Sequence, residues 1–280
     1  MATTAGQYEQ LICERLSTNL NRLKAEFGSE RTGHVRCCFI DDLFDSELLG
    51  GILELPPLKA MLRKENLKER KYLSSNLDIL SLTQQEIVKA FNSQEVANVV
   101  AKIMEKPSLE NDPSLYNGGI TAMLPGDFMC PHLDNSHDYS RTRRRDVVLL
   151  YYFSPFWRTD YGGHLELWND DRKAAPRRFD YRPNRLVIME TTNQSWHSIT
   201  PIVGPMPRSS VTTYYYAPAV VMSRPRLTKF GAWPHQPARE LLFKSEFALR
   251  SVAAKILPRR LVPNKHVYKK AINNPNSISS

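Results

Sequence analysis

From Gly118 to Ala217 the chain is a succession of short β-type runs separated by turn residues. Ile120–Leu124 leads into the turn Pro125-Gly126-Asp127. Asp146–Phe153, then His164–Trp168 behind Gly162-Gly163, then Arg185–Met189 and Val211–Tyr216 complete the series. Runs this short, rich in branched and aromatic residues and punctuated by Pro, Gly and Asp, suit a sandwich or barrel better than an open βαβ sheet. Nothing in this stretch repeats, and no segment is of low complexity.

The flanks differ in texture. Tyr8–Phe27 has the pattern of an amphipathic helix: Leu11, Ile12, Leu16, Leu20 and Leu23 recur at three- and four-residue steps, and Gly28 is the stop. Val35–Ile40 is strand-like, and Asp45–Leu49 opens a second short helix. Lys64–Lys71 is heavily charged and reads as an exposed loop or helix edge. Thr83–Met104 is a further helix, with Ile87, Val88, Phe91, Val96, Val99, Val100 and Ile103 on its buried side. Beyond Pro218 the chain is dotted with proline and basic. Ala238–Leu257 then forms one helix, with Leu241, Leu242, Leu249, Val252, Ala253, Ile256 and Leu257 along one side, ended by Pro258; Asn273–Ser280 is a frayed tail. The expectation is an α+β chain in one structural unit: a mainly helical region over 1–105, a strand-rich body over 106–221 and a basic helical extension over 222–280. The stripe on the last helix is expected to pack on the chain's own core; a homodimer face or a substrate lid is the other reading.

Charge is distributed unevenly. The net charge is +9, but Met222–Lys270 alone carries twelve Lys/Arg against Glu240 and Glu246, so the remainder sums to −1. The basicity belongs to the extension and not to the body, which argues against nucleic acid as the partner of the body. On the extension it reads as a solvated face, with contact to an anionic surface as the alternative. No apolar run approaches the roughly 18 residues of a membrane span. The N-terminus has neither a basic start nor an apolar core of a secretory signal. Cys13, Cys37, Cys38 and Cys130 lack zinc-finger spacing, and the adjacent pair is a poor disulfide, so a reducing cytoplasm is expected.

The chemistry gathers at Pro131-His132-Leu133-Asp134-Asn135-Ser136-His137-Asp138. On an extended strand, residues i and i+2 share a face, so His132 and Asp134 present an imidazole and a carboxylate side by side. His197, in Ser195-Trp196-His197-Ser198-Ile199, is the candidate third ligand. Two histidines and one carboxylate can hold Fe(II) with open positions; the same donors could hold Zn²⁺ in a hydrolase. Eleven residues after His197 comes Arg208-Ser209-Ser210. Arg208 can pair bidentately with a carboxylate, Ser210 points the same way, and Tyr152 can donate its phenol to the same group. Together they describe a pocket for a dicarboxylate whose other end chelates the metal. Among the neighbours, His137 and Asp138 read as loop residues, Asn135 as a residue that orients the ligand loop, and His164 as a strand residue that could line the cavity. Trp168 and Trp196 read as core aromatics. Arg141, Arg143, Arg144 and Arg145 read as a solvated loop, or as a docking point for an anionic substrate.

At this point the sequence resembles the Fe(II)/2-oxoglutarate-dependent dioxygenase superfamily, in its prolyl-4-hydroxylase-like branch. The resemblance runs from about Ser114 to Pro218. It is carried by Leu115-Tyr116-Asn117-Gly118-Gly119, Gly126-Asp127, His132-Leu133-Asp134-Asn135, Leu150-Tyr151-Tyr152-Phe153, Phe156-Trp157, Gly162-Gly163-His164-Leu165-Glu166-Leu167-Trp168, Asn184-Arg185-Leu186, Ser195-Trp196-His197 and Arg208-Ser209-Ser210. It implies a double-stranded β-helix, a jelly-roll or cupin-like core with helices packed outside. It implies His132, Asp134 and His197 as iron ligands, with Tyr152 and Arg208 gripping the far carboxylate of 2-oxoglutarate. Fe(II), 2-oxoglutarate and O₂ are the implied cofactors, with ascorbate as an optional addition. The implied reaction is hydroxylation of an unactivated C–H bond with release of succinate and CO₂. The expected substrate is a small biosynthetic intermediate, with a prolyl or other protein side chain second. A metal-binding interaction module without activity is the alternative of another class. Two departures mark the chain: Met123 stands where many relatives carry tyrosine, and Arg208 lies a residue or two farther from the distal histidine, with Pro205 and Pro207 between them.

Overall fold

Side-chain oxygens set the start of three of the N-terminal helices. The computed structural model describes residues 3–29, 35–218, 226–256 and 267–268. Thr4 caps α1 (Ala5–Thr18) in a reciprocal box with Gln7. After α2 (Leu20–Gly28) and α3 (Ser46–Ile52), Ser81 caps α4 (Leu82–Phe91) and Ser93 caps α5 (Gln94–Ile103). Two expectations need correction here. The helix read over Tyr8–Phe27 is two, broken at Asn19, whose backbone is not helical and whose amide donates to Arg15 O at 2.9 Å. The helix read over Thr83–Met104 is also two. Asn92 leaves the helix to exchange hydrogen bonds with Asp112, and Ser93 restarts it. Apolar spacing runs through both breaks, which is why periodicity alone does not reveal them. Ile12, Leu16, Ile87, Val88, Phe91 and Val100 are all at most 2% exposed. Each such side chain contributes about 1.5–3 kcal/mol through burial.

Two antiparallel sheets follow. The larger has the order β1-β9-β6-β11-β4-β3-β2, and the smaller β12-β5-β10-β7-β8. In chain order the strands are β1 (Cys37–Ile40), β2 (Leu62–Glu65), β3 (Arg70–Ser74), β4 (Gly119–Met123), β5 (Met129–Leu133) and β6 (Arg145–Tyr152). They continue as β7 (Leu165–Leu167), β8 (Arg177–Phe179), β9 (Leu186–Glu190), β10 (His197–Ile199), β11 (Arg208–Tyr216) and β12 (Lys229–Phe230). From β4 to β7, and again from β9 to β11, consecutive strands alternate between the two sheets. That winding is a double-stranded β-helix, so the α+β class and the core architecture stand as expected. Three strands from the first 105 residues lie in the larger sheet beside the body.

Strand pleat decides which side chains face the site. On β6 and β11, Val147, Leu149, Tyr151, Val211 and Tyr215 join the helix-side core. Val148, Tyr152, Tyr214 and Tyr216 turn between the sheets. Arg208 and Ser210 share the inner parity. A bulge adds one more inner residue. Tyr215 pairs with Val147 but Tyr216 pairs with Arg145, so Asp146 is the extra residue and Arg145 turns inward.

Two further expectations fail. Lys64–Lys71 is neither an exposed loop nor a helix edge: β2 and β3 form a hairpin whose turn is held by Asn66 Oδ1, which accepts from the amides of Lys68 and Glu69. It joins the larger sheet through β4. Its charges pair across the hairpin, so the hydrophobic alternation that marks a strand is missing. The last helix, α6 (Pro237–Ile256), docks through Phe243 onto Cys130, Phe230 and Ala232. Its ion pairs Arg172–Glu240 and Lys68–Glu246 lie at 2.8 and 2.7 Å. The apolar stripe expected to reach the core does not: Leu241 is 75% exposed and Leu249 73%, with Leu242 and Val252 also exposed. Leu257 and the tail read over Asn273–Ser280 lie outside the described residues.

Candidate active site

Antiparallel pairing of β5 with β10 places His132 directly opposite His197, ring centroids 4.0 Å apart. Asp134 follows β5 by one residue. Each imidazole is fixed by the carbonyl two residues before it: His132 Nδ1 lies 3.0 Å from Cys130 O, and His197 Nδ1 2.9 Å from Ser195 O. With Nδ1–H donating there, Nε2 keeps its lone pair and faces Asp134. The Nε2 atoms lie 3.7 and 4.0 Å from the Asp134 oxygens. All three donors fall within 4.8 Å of one another and are buried, the one such group among the described residues. Donors about 2 Å from one ion stand about 3–4 Å apart when their bonds open at right angles or wider, so the set fits a divalent metal. Burial and the neighbouring His197 push the His132 imidazole down to about 3, which keeps it neutral. Burial alone would raise the Asp134 carboxyl, but His197, His132 and Arg145 together hold it below its usual range.

The second half of the site is built on β11. Arg208 is 2% exposed, and its guanidinium lies 4.7 Å from the ring centres of both Tyr152 and Tyr181. Nε donates to Gly163 O at 2.8 Å. Nη2 is buried without a partner, and so is the Tyr152 hydroxyl. Two unpaired polar groups in one apolar pocket would each cost about 1–3 kcal/mol, and both ask for an acceptor. Burial raises the Tyr152 phenol although Arg208 opposes it, so Tyr152 is a neutral donor. A carboxylate meets both demands. Ser210 is occupied differently, its hydroxyl 2.8 Å from that of Thr121.

Structure thus brings His132, Asp134 and His197 into one group and Arg208 and Tyr152 into another. Tyr181 was not singled out by sequence. Its hydroxyl bonds Ser154 Oγ and Ser209 O, which fixes the ring under Arg208. Asn135 Oδ1 is buried with no partner, so it does not orient the ligand loop through that atom. His137 and Asp138 are buried loop residues. Asp138 accepts from the amides of Thr142 and Arg143 and closes the turn. His164 contacts Asp180 at 3.0 Å and does not line the cavity beside His132 and Asp134. Trp168 and Trp196 are core aromatics.

The arginine run is not a solvated loop as a whole. Arg143 pairs with Asp138 and Glu110, and Arg144 pairs with Asp146. Arg145 is 2% exposed, with its guanidinium 3.4 Å from the Tyr214 ring centre. Burial opposes its charge, but Tyr216, Tyr214 and Asp134 raise its pKa, so it stays cationic. A cavity of about 600 Å³ opens beside His132 and Asp134; Tyr116, Tyr214 and Phe230 line it together with residues of the β2–β3 hairpin.

Comparison with known proteins agrees with this geometry. Residues 118–216 match the model of the 2OG-Fe(II) oxygenase superfamily. No curated protein sequence matches the chain significantly. Among solved structures it is similar to a prolyl hydroxylase from Trichoplax adhaerens in complex with a hypoxia inducible factor oxygen degradation domain peptide fragment. That match has 16% identity and a TM-score of 0.50, covering 74% of this chain and 91% of the other. It is also similar to an oxidoreductase of the 2OG-Fe(II) oxygenase family from Burkholderia pseudomallei, at 11% identity and a TM-score of 0.50 over 73% of this chain and 94% of the other. At such identities these likenesses speak for the fold alone. Among the described residues, no helix is long and apolar enough to cross a membrane. The segment over residues 118–216, which carries the triad and Arg208, is a 2OG-Fe(II) oxygenase superfamily segment, with the three donors of a 2-oxoglutarate-dependent iron dioxygenase in place.

Proposed function

We propose that the chain hydroxylates an unactivated C–H bond of a small molecule, with His132, Asp134 and His197 holding Fe(II) and Arg208 and Tyr152 holding the far carboxylate of 2-oxoglutarate. The observation that carries this reading is the pairing of a three-donor group with a buried arginine and tyrosine that lack an acceptor. With Fe(II) and 2-oxoglutarate bound, the chemistry supplied is O₂-dependent hydroxylation coupled to loss of CO₂ and formation of succinate. The chain's own residues do the positioning. Cys130 O and Ser195 O fix both imidazoles with Nε2 inward. Burial keeps His132 free of a proton. The stacked rings of Tyr152 and Tyr181 hold the Arg208 guanidinium beside them. Ser210 would reach the same carboxylate only by turning from Thr121. A cavity of about 600 Å³ suits a small molecule, since such sites run about 300–1,000 Å³. Hydroxylation of a protein side chain is the second reading, prompted by the peptide in the Trichoplax adhaerens complex.

Anaerobic addition of Fe(II) and 2-oxoglutarate is expected to give a weak visible charge-transfer band. Succinate release in air should then rise with members of a small-molecule panel. No band with intact protein would overturn the reading, and stimulation by proline-containing peptides alone would move it to the second.

Gly163 is where the carboxylate grip meets the backbone. Its φ is +65°, and a Cβ there would lie 2.7 Å from Ile202 Cδ1 and 2.8 Å from Arg208 Cδ. Gly163→Ala is expected to lower stability by about 1–3 kcal/mol and to raise the KM for 2-oxoglutarate about tenfold by displacing Arg208. Thermal melting and succinate kinetics read the two effects separately.

A further inference from the structure

The cavity beside His132 and Asp134 is lined by six cations, Lys64, Lys68, Lys71, Arg141, Arg145 and Arg250, against the carboxylates Glu69 and Asp134. Local pairing does not cancel this excess. Lys64 and Lys71 share the single carboxylate of Glu69, at 3.2 and 3.1 Å. Lys68 and Arg250 share that of Glu246, at 2.7 and 2.8 Å. Each trio therefore keeps one positive charge. No carboxylate of the described residues pairs with half-buried Arg141, which stands in a left-handed conformation at φ +62°. Arg145, buried over the Tyr214 ring, has its Nε without a partner.

Concentrated cationic charge in a concave, partly dry site attracts anions and holds them. The cosubstrate does not account for it. Arg208 and Tyr152, where its far carboxylate is placed, do not line this cavity. The cations come from the β2–β3 hairpin, the loop after Asp138, the start of β6 and α6. Lys71 also rests its ammonium 3.4 Å from Met129 Sδ, at the start of the strand that carries His132.

We propose that the substrate carries an anionic group, a carboxylate or a phosphate, which docks on Lys71, Lys64 and Arg141 while the C–H bond to be oxidised faces His132 and Asp134. This substrate class rests on the oxygenase reading; the anion site itself does not need it. The hairpin thus selects the substrate, and the aromatic rings of Tyr116, Tyr214 and Phe230 give its carbon frame an apolar wall.

The test is calorimetric titration of phenyl phosphate, benzoate and neutral benzyl alcohol into metal-free protein and, anaerobically, into protein loaded with Fe(II) and 2-oxoglutarate. At least one anion should bind about tenfold more tightly than benzyl alcohol, the order of a charge-assisted hydrogen bond. Which anion binds tighter identifies the group. Arg141→Ala and Lys71→Met should each weaken that anion about tenfold, and NaCl at about 0.5 M should weaken it in the unsubstituted protein. The Kd for 2-oxoglutarate should move less than about twofold in Arg141→Ala, since distant sites add independently. Should Lys71→Met fail to fold, Arg141→Ala on its surface loop carries the test. Anions that bind no better than benzyl alcohol, or equal anion binding in Arg141→Ala, would overturn the proposal. Failure to load Fe(II) and 2-oxoglutarate while metal-free protein still takes the anion would strike the oxygenase reading and leave the anion site standing.

Discussion

His132→Ala is expected to reduce 2-oxoglutarate-dependent succinate formation by at least about a thousandfold, the scale on which units of cooperating groups fail when one member goes. The remaining donors, Asp134 and His197, offer one carboxylate and one imidazole, with Oδ2 and Nε2 4.0 Å apart. Two donors do not fix an ion's geometry, and the buried Asp134 carboxylate would lose one of the two imidazoles beside it. Iron per chain after desalting should fall well below that of the unsubstituted protein. The ring also packs on Phe230, centroids 5.3 Å apart, so the alanine variant leaves a small cavity as well as a missing ligand. His132→Asn keeps more of the volume and should be as inactive as the alanine form. A circular dichroism spectrum and melting point close to the parent's would assign the loss to the metal and not to the fold. Near-normal turnover in a folded His132→Ala protein would remove His132 from the ligand set.

How much of this was legible in the sequence depends on how local each feature is. His132 and Asp134 share a face because a strand repeats every two residues, a property of the chain over three positions. The sheet-forming body was legible for the same reason, through short runs and their turns. Pairing of His132 with His197 spans 65 positions and is fixed by antiparallel register, which spacing does not encode; it came from the family resemblance. Tyr181 lies in Asp180-Tyr181-Arg182-Pro183, a stretch that carries a turn signal and no strand pattern, so nothing local marks it as the plate beneath Arg208. Arg145 was hidden by a bulge: without the extra residue Asp146, strand alternation puts its side chain on the opposite face. The β2–β3 hairpin was hidden by its own chemistry. Its strands alternate charges that pair across the turn, where a hydrophobic reading finds only a soluble loop. These misses share one cause. Each of these residues is placed by a non-local contact or an irregularity, while the His132–Asp134 pair is placed by strand period.

Arg208→Ala is expected to act on the cosubstrate and not on the chemical step. The KM for 2-oxoglutarate should rise about a hundredfold or more, since removing one partner of a buried, hydrogen-bonded charge pair costs about 2–5 kcal/mol. At saturating 2-oxoglutarate, kcat should stay within about fivefold of the parent, because the lost contact holds a remote carboxylate in ground and transition states alike. Arg208→Lys should fall between the two. It keeps a charge but loses the planar fork that lies against Tyr152 and Tyr181 and donates to Gly163 O. Tyr152→Phe deletes one neutral donor and should raise KM only about fivefold. The graded series matters because Arg208 is also a buried structural element: the alanine variant opens space beside two stacked tyrosine rings and will melt lower. A purely structural defect reduces the amount of competent enzyme and therefore kcat per chain, with KM unmoved. A carboxylate anchor moves KM, in the order Tyr152→Phe, Arg208→Lys, Arg208→Ala. If Arg208→Ala keeps a KM within about threefold of the parent, the far carboxylate of 2-oxoglutarate is held elsewhere, and the buried guanidinium with its unpaired Nη2 is left without the ligand that explains it.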